Sequence, residues 1–125
     1  MTEVSGARVL LVEDEGLLAL MIQDMLEELG LKVVASAAHL KKACELAATA
    51  SFDVALLDVN LAGEFVFPVA RILRDRRIPF LFSTGYGAPS LEEEFSNAPA
   101  LGKPFSAAQL DEKLRAVLAP SGPEF

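Results

Sequence analysis

The stretch Arg8-Val9-Leu10-Leu11-Val12-Glu13 is an apolar run without alternation of polar and apolar positions. A strand with one wet face alternates, so an unbroken run marks a strand covered on both faces, as in a parallel sheet. Directly after it the period changes. Within residues 15–29, Leu17, Leu18, Met21, Ile22, Met25, Leu26 and Leu29 recur three or four apart, and Gly30 stands where a helix-terminating glycine belongs. Asp14 occupies the expected N-cap position. A doubly covered strand feeding an amphipathic helix is the unit from which α/β folds are built.

The unit repeats. Residues 32–35 predict a second, valine-rich strand, and 39–49 an alanine-rich helix with Leu40, Ala43, Cys44 and Ala47 on one stripe. Residues 52–58 predict a third strand, 64–76 a helix with Val66, Val69, Ala70 and Leu73 inward and Pro68 in its first turns, and 78–82 a fourth strand. A short acidic helix is expected over 91–96, a brief fifth strand over 100–101, and a last helix over 106–118 with Ser106 as N-cap and Gln109 completing a capping box. Five alternations with short connections specify a three-layer α/β sandwich around a parallel sheet, because right-handed crossovers place helices on both faces. The 125 residues suit one domain, with a core over 7–119 and a short terminating tail over 120–125.

Composition removes several classes of function. Eleven Lys+Arg against 18 Asp+Glu leave a formal charge of -7, which opposes unaided binding to nucleic acid or anionic lipid. One cysteine, Cys44, and one histidine, His39, make neither a disulfide nor a zinc site. Cys44 is expected in the core, and His39 exposed in a first helical turn. Arg71, Arg74, Arg76 and Arg77 read as a solvated helix face, and Glu92-Glu93-Glu94 as solvent-facing. No signal peptide and no apolar run of about 18 residues is present, so the expectation is a cytoplasmic protein.

In a parallel sheet the site lies beyond the C-terminal strand ends, and the polar residues gather there. Glu13 and Asp14 end the first strand, Asp58 the third; Thr84 follows the fourth and Lys103 the fifth. Three convergent carboxylates raise one another's proton affinity unless a cation relieves them. An incomplete all-oxygen cage suits Mg²⁺, which keeps waters and shares its shell with phosphate. An Asp oxygen beside such an ion is a nucleophile toward phosphorus, while Thr84 and Lys103 suit phosphoryl oxygens.

These residues stand in four segments: Val12-Glu13-Asp14-Glu15, Leu57-Asp58-Val59-Asn60-Leu61, Thr84-Gly85 and Gly102-Lys103-Pro104-Phe105. In this order, each at a strand end, they resemble the receiver domain of bacterial two-component response regulators over roughly residues 7–119. Pro79 to Gly87 further resembles the alphaproteobacterial subgroup with the motif P-F-x-F-A-T-G-Y, whose members are often stand-alone receivers. The resemblance implies a (βα)5 flavodoxin-like fold with strand order 2-1-3-4-5. It implies Asp58 as phosphoacceptor from a phosphohistidine, and Mg²⁺ held by Asp14, by Asp58, by Glu13 through a water and by the backbone carbonyl of Asn60. It also implies a cis Lys103-Pro104 peptide, and a sensor histidine kinase or histidine phosphotransfer protein as partner. A downstream partner would meet the face of the fourth helix, fifth strand and fifth helix. Apart from self-phosphorylation and autodephosphorylation, such a protein is not an enzyme.

Three positions depart from the pattern: Glu13 stands where Asp is the commoner residue, a change the family tolerates. Ser83 stands where the subgroup carries Ala, and Ala100 where receivers carry an aromatic that swings inward on activation. Tyr86, the only tyrosine, is a candidate substitute, and ordering of residues 87–99 a candidate report of phosphorylation. The rival reading is a receiver-like scaffold that docks a kinase or partner without being phosphorylated. A small Asp-nucleophile phosphatase would want a second acid two residues after the nucleophile, where this chain has Asn60.

Overall fold

The structure is a computed structural model that describes residues 4–85 and 91–119. In chain order its elements are β1 (Arg8–Val12), α1 (Gly16–Glu28), β2 (Lys32–Ala37), α2 (Leu40–Thr49), β3 (Val54–Asp58), β4 (Asn60–Leu61), β5 (Glu64–Phe65), α3 (Phe67–Asp75), β6 (Phe80–Thr84), a single 3-10 turn at Glu93–Phe95, β7 (Ala100–Gly102) and α4 (Ala107–Leu118). The five long-range strands form one parallel sheet in the order β2-β1-β3-β6-β7. Counted among sheet strands alone, that is the expected order 2-1-3-4-5.

Successive strand residues point to opposite faces, so each central strand supplies two cores. Leu10, Val12, Ala55, Leu57, Phe80 and Phe82 pack with Ala43 and Ala47 of α2 and Val69, Ala70 and Leu73 of α3. Val9, Leu11, Val54, Leu56 and Leu81 pack on the other face with Ile22 and Leu26 of α1 and Leu110, Leu114 and Val117 of α4. Both helix ends that the sequence marks most clearly form as expected. At the end of α1, Gly30 takes φ +90, its N–H donates to Glu27 O at 3.0 Å, and Leu31 N–H donates to Leu26 O at 2.9 Å. At the start of α4, Gln109 N–H donates to Ser106 Oγ and Ser106 N–H to Gln109 Oε1, at 3.1 and 2.8 Å.

Four expectations are corrected. The third helix begins at Phe67, not at residue 64, because residues 60–65 form a tight antiparallel hairpin instead. Its two-residue loop places Ala62 and Gly63 at φ 53 and 88, and Gly63 N–H donates to Asn60 Oδ1 at 2.9 Å. The N-cap of α1 is Glu15, with no side-chain cap, while the Asp14 carboxylate accepts from Ala62 N–H at 3.0 Å. The expected acidic helix over 91–96 is one 3-10 turn, so four α-helices rather than five cover the sheet among the described residues. Three of the four arginines are partnered rather than merely solvated, while Arg77 is exposed as expected. Arg71 and Arg74 pair with Glu92 and Glu94, and Arg76 donates to Ala47 O and Ala50 O at the end of α2.

Phe95 explains how so short a turn is held. It is 1% exposed, stacks on Phe67 with centroids 5.7 Å apart, and meets Phe80 and Phe82 edge-on. Arg74 lies 5.4 Å from its ring centroid. His39 is exposed, as expected, at the N-cap of α2, and Cys44 is half-buried against the α2–α3 core.

Candidate functional site

The C-terminal strand edge is locked by backbone bonds before any side chain is considered. Glu13 N–H donates to Ala37 O at 3.0 Å, Val59 N–H to Ser83 O at 3.0 Å, and Lys103 N–H to Thr84 O at 2.8 Å. The carboxylates of Glu13 and Asp58, the Thr84 hydroxyl and the Lys103 ammonium therefore start from fixed points on four neighbouring strands. Glu13, Asp58 and Thr84 are buried, Lys103 is half-buried, and Asp14 is exposed.

Glu13, Asp14 and Asp58 each present one carboxylate oxygen such that all three lie within 4.8 Å of one another. Lys103 Nζ sits 2.9 Å from Glu13 Oε1 and 3.1 Å from Asp58 Oδ2. The other Glu13 oxygen accepts from Glu15 N–H at 3.1 Å. One ammonium thus meets two of the three clustered carboxylates, and the imbalance appears in the proton affinity of Asp58. Burial, reinforced by the charge of Glu13 and only partly offset by Lys103, pushes the Asp58 carboxyl up to about 7. Burial acts to lower the Lys103 pKa, but the hydrogen bond to Glu13 and the charges of Asp58 and Glu13 outweigh it and hold Lys103 above its ordinary value. Burial likewise acts to raise Asp14, yet the Ala62 N–H and the neighbouring carboxyls hold it below the usual carboxylate range.

A surplus of oxygen donors with unrelieved negative charge is the donor set a hard divalent cation prefers. Asp14, on the solvent side, leaves room for waters to complete the shell. Above the cluster opens a cleft of about 400 Å³ lined by Asp14, Asp58, Val59, Asn60, Phe65, Thr84, Gly85 and Lys103. The five strand-end residues named from the sequence, Glu13, Asp14, Asp58, Thr84 and Lys103, converge here, and Asn60 joins them on the cleft wall. The Lys103-Pro104 peptide is cis, as expected. Tyr86 lies outside the described residues, and so does part of the segment 87–99.

Phe65 is the cleft residue that the sequence does not mark, because the expected helix over 64–76 includes it. The usable signal was Asn60 followed by Gly63, a spacing that suits a tight hairpin and leaves Phe65 opposite Asn60. Ser83, the register partner of Asp58, has a buried hydroxyl with no hydrogen-bond partner among the described residues.

Residues 9–115 match the response regulator receiver domain family. The chain belongs to that family. Among relatives of this receiver, the transcriptional regulatory protein PdtaR of Mycobacterium tuberculosis is 32% identical over 107 residues. That match takes in 82% of this chain and 52% of PdtaR, so the receiver spans about half the length of that relative. The BeF3-activated conformation of SdrG from Pseudomonas melonis Fr1 superposes with a TM-score of 0.78 at 37% identity, covering 92% of this chain and 98% of SdrG. The receiver domain of the sensor histidine kinase PA1611 from Pseudomonas aeruginosa PAO1 is 29% identical with a TM-score of 0.72, covering 89% of this receiver and 96% of that domain. That domain has a magnesium ion coordinated in its active-site cleft. None of the described helices here is long and apolar enough to cross a membrane.

Proposed function

We propose that this receiver is a cytoplasmic phosphoacceptor switch that takes a phosphoryl group from a phosphohistidine onto Asp58. The observation that carries the reading is the Lys103 ammonium bridging Glu13 and Asp58 inside a cluster of three carboxylates. Asp14, Asp58 and the Asn60 backbone carbonyl would hold Mg²⁺ directly, and Glu13, whose two oxygens already accept from Lys103 and Glu15, would act through a water. The ion supplies neutralisation of the carboxylates and of the incoming phosphoryl oxygens.

In the transfer, an Asp58 oxygen attacks phosphorus, the P–N bond of the donor breaks, and the imidazole leaves with the electron pair. Lys103 then exchanges part of its salt bridge for a phosphoryl oxygen, and the Thr84 hydroxyl donates to another. The donor would be a sensor histidine kinase or a histidine phosphotransfer protein. Output would be onward transfer or a protein contact at the face of the Glu93–Phe95 turn, β7 and α4. The chain is itself the phosphoacceptor, so in this reading it is not an enzyme beyond self-phosphorylation and autodephosphorylation.

The test is intact mass after incubation with Mg²⁺ and acetyl phosphate, beside Asp58→Asn. A gain of one phosphoryl group, absent from the variant and abolished by a chelator, is the expected result. No gain from acetyl phosphate or from a phosphorylated kinase would overturn the reading in favour of a scaffold that docks its partner unmodified.

A further inference from the structure

Phe65 ends β5 directly across the hairpin from its register partner Asn60. It lines the cleft that holds Asp58, yet the residue is 57% exposed. Three constraints keep it at the mouth. The Ala62-Gly63 loop fixes the hairpin, and the Ala62 N–H ties that loop to Asp14 Oδ2 at 3.0 Å. Val66 N–H donates to Val59 O at 2.9 Å, closing the far end of the hairpin beside Asp58. The Phe65 ring stacks on Phe67 at 5.8 Å, and Phe67 is itself buried against Phe95 and Phe82. A large apolar side chain is thus held by packing at the rim of a cleft whose other described walls are mostly polar.

We propose that Phe65 shields the phosphorylated form of this receiver, limiting water's access to the acyl phosphate and so setting its lifetime. The proposal rests on the phosphoacceptor reading above. Hydrolysis requires a water oxygen to attack phosphorus from the solvent side of the cleft. The bond between phosphorus and the Asp58 oxygen breaks, Asp58 leaves as a carboxylate, and the water's proton passes to solvent with the released phosphate. An attacking water needs a polar group to orient it or take its proton. The Phe65 ring occupies space at the mouth and offers neither. Asn60, opposite it, has its side-chain oxygen engaged by Gly63 N–H. Phe65 touches no bond that is made or broken; it acts as a positioning residue through the solvent it displaces.

The test phosphorylates the wild type and the graded series Phe65→Leu, Phe65→Val and Phe65→Ala with acetyl phosphate and Mg²⁺, removes the donor, and follows loss of the phosphoryl mass. Decay should quicken as apolar size is lost, with Leu close to wild type and Ala about fivefold faster. Decay is followed well below the thermal midpoint of every variant, so that the rates read are those of folded protein. Equal decay in wild type and the whole series, or slower decay in the smaller variants, overturns the shielding role alone. A wild type that takes up no phosphoryl group overturns the phosphoacceptor reading and this proposal together, and that arm is read before any variant is compared.

Discussion

Asp58 is the residue at which structure and chemistry pull against each other. Its carboxyl is buried beside Glu13, and its proton affinity is raised from an ordinary value of 3.8 to about 7. Between those values the folded chain holds a proton that the unfolded chain has released, so stability falls as pH rises through the window and the loss is complete above it. Ionising Asp58 in the metal-free protein works against the fold. Asp58→Asn, which keeps the shape and removes the charge, should therefore be the more stable protein at about pH 8 in a chelator, and from about pH 4 up to that value its stability should lose most of the wild-type slope. Urea unfolding of both proteins across that range checks it. An Asn variant that is less stable at the alkaline end would mean that the Lys103 pairing outweighs the repulsion.

At the scale of elements, the turn at Glu93–Phe95 shows which contacts hold a segment too short to be a helix. Its ion pairs to Arg71 and Arg74 lie at the surface, where solvent and salt screen them, whereas Phe95 is sealed among three other rings. Phe95→Ala should cost about 3–5 kcal/mol, independent of salt. Glu94→Gln should cost far less, and its effect should fade as salt approaches about 1 M. Urea midpoints at low and high salt separate the two, and a loss in Glu94→Gln as large as that in Phe95→Ala would assign the anchoring to the ion pairs instead. None of this was legible in the acidic stretch itself, where Glu92-Glu93-Glu94 signals only a wet surface. The strands were legible because burial on both faces leaves an unbroken apolar run, and the strand-end polar residues stand out against it. The hairpin over 60–65 was not, since Ala62 is a helix former by propensity and its left-handed φ is imposed by Gly63 and Asn60 around it. The hairpin brings Phe65 to the cleft and gives Asp14 the Ala62 N–H as a partner, which its position ahead of α1 does not reveal.

For the whole molecule, the same geometry joins folding to ion binding. Glu13, Asp14 and Asp58 come from two strand ends far apart in sequence, so the unfolded chain has no preformed site, and any cation held by the cluster stabilises the fold by mass action. At a hundredfold excess over its dissociation constant, Mg²⁺ should add roughly 2.7 kcal/mol. The ion competes with the proton on Asp58, so this gain should be larger at about pH 8 than at about pH 6, opposite in direction to the metal-free trend. Asp14→Asn removes an exposed member of the cluster with little consequence for packing, and should lose the Mg²⁺ response while remaining folded. Thermal midpoints with and without Mg²⁺, at both pH values and in both proteins, give the answer. A wild type whose midpoint ignores Mg²⁺, or an Asp14→Asn protein that responds as fully as wild type, would place the ion elsewhere and leave the three carboxylates balanced by Lys103 alone.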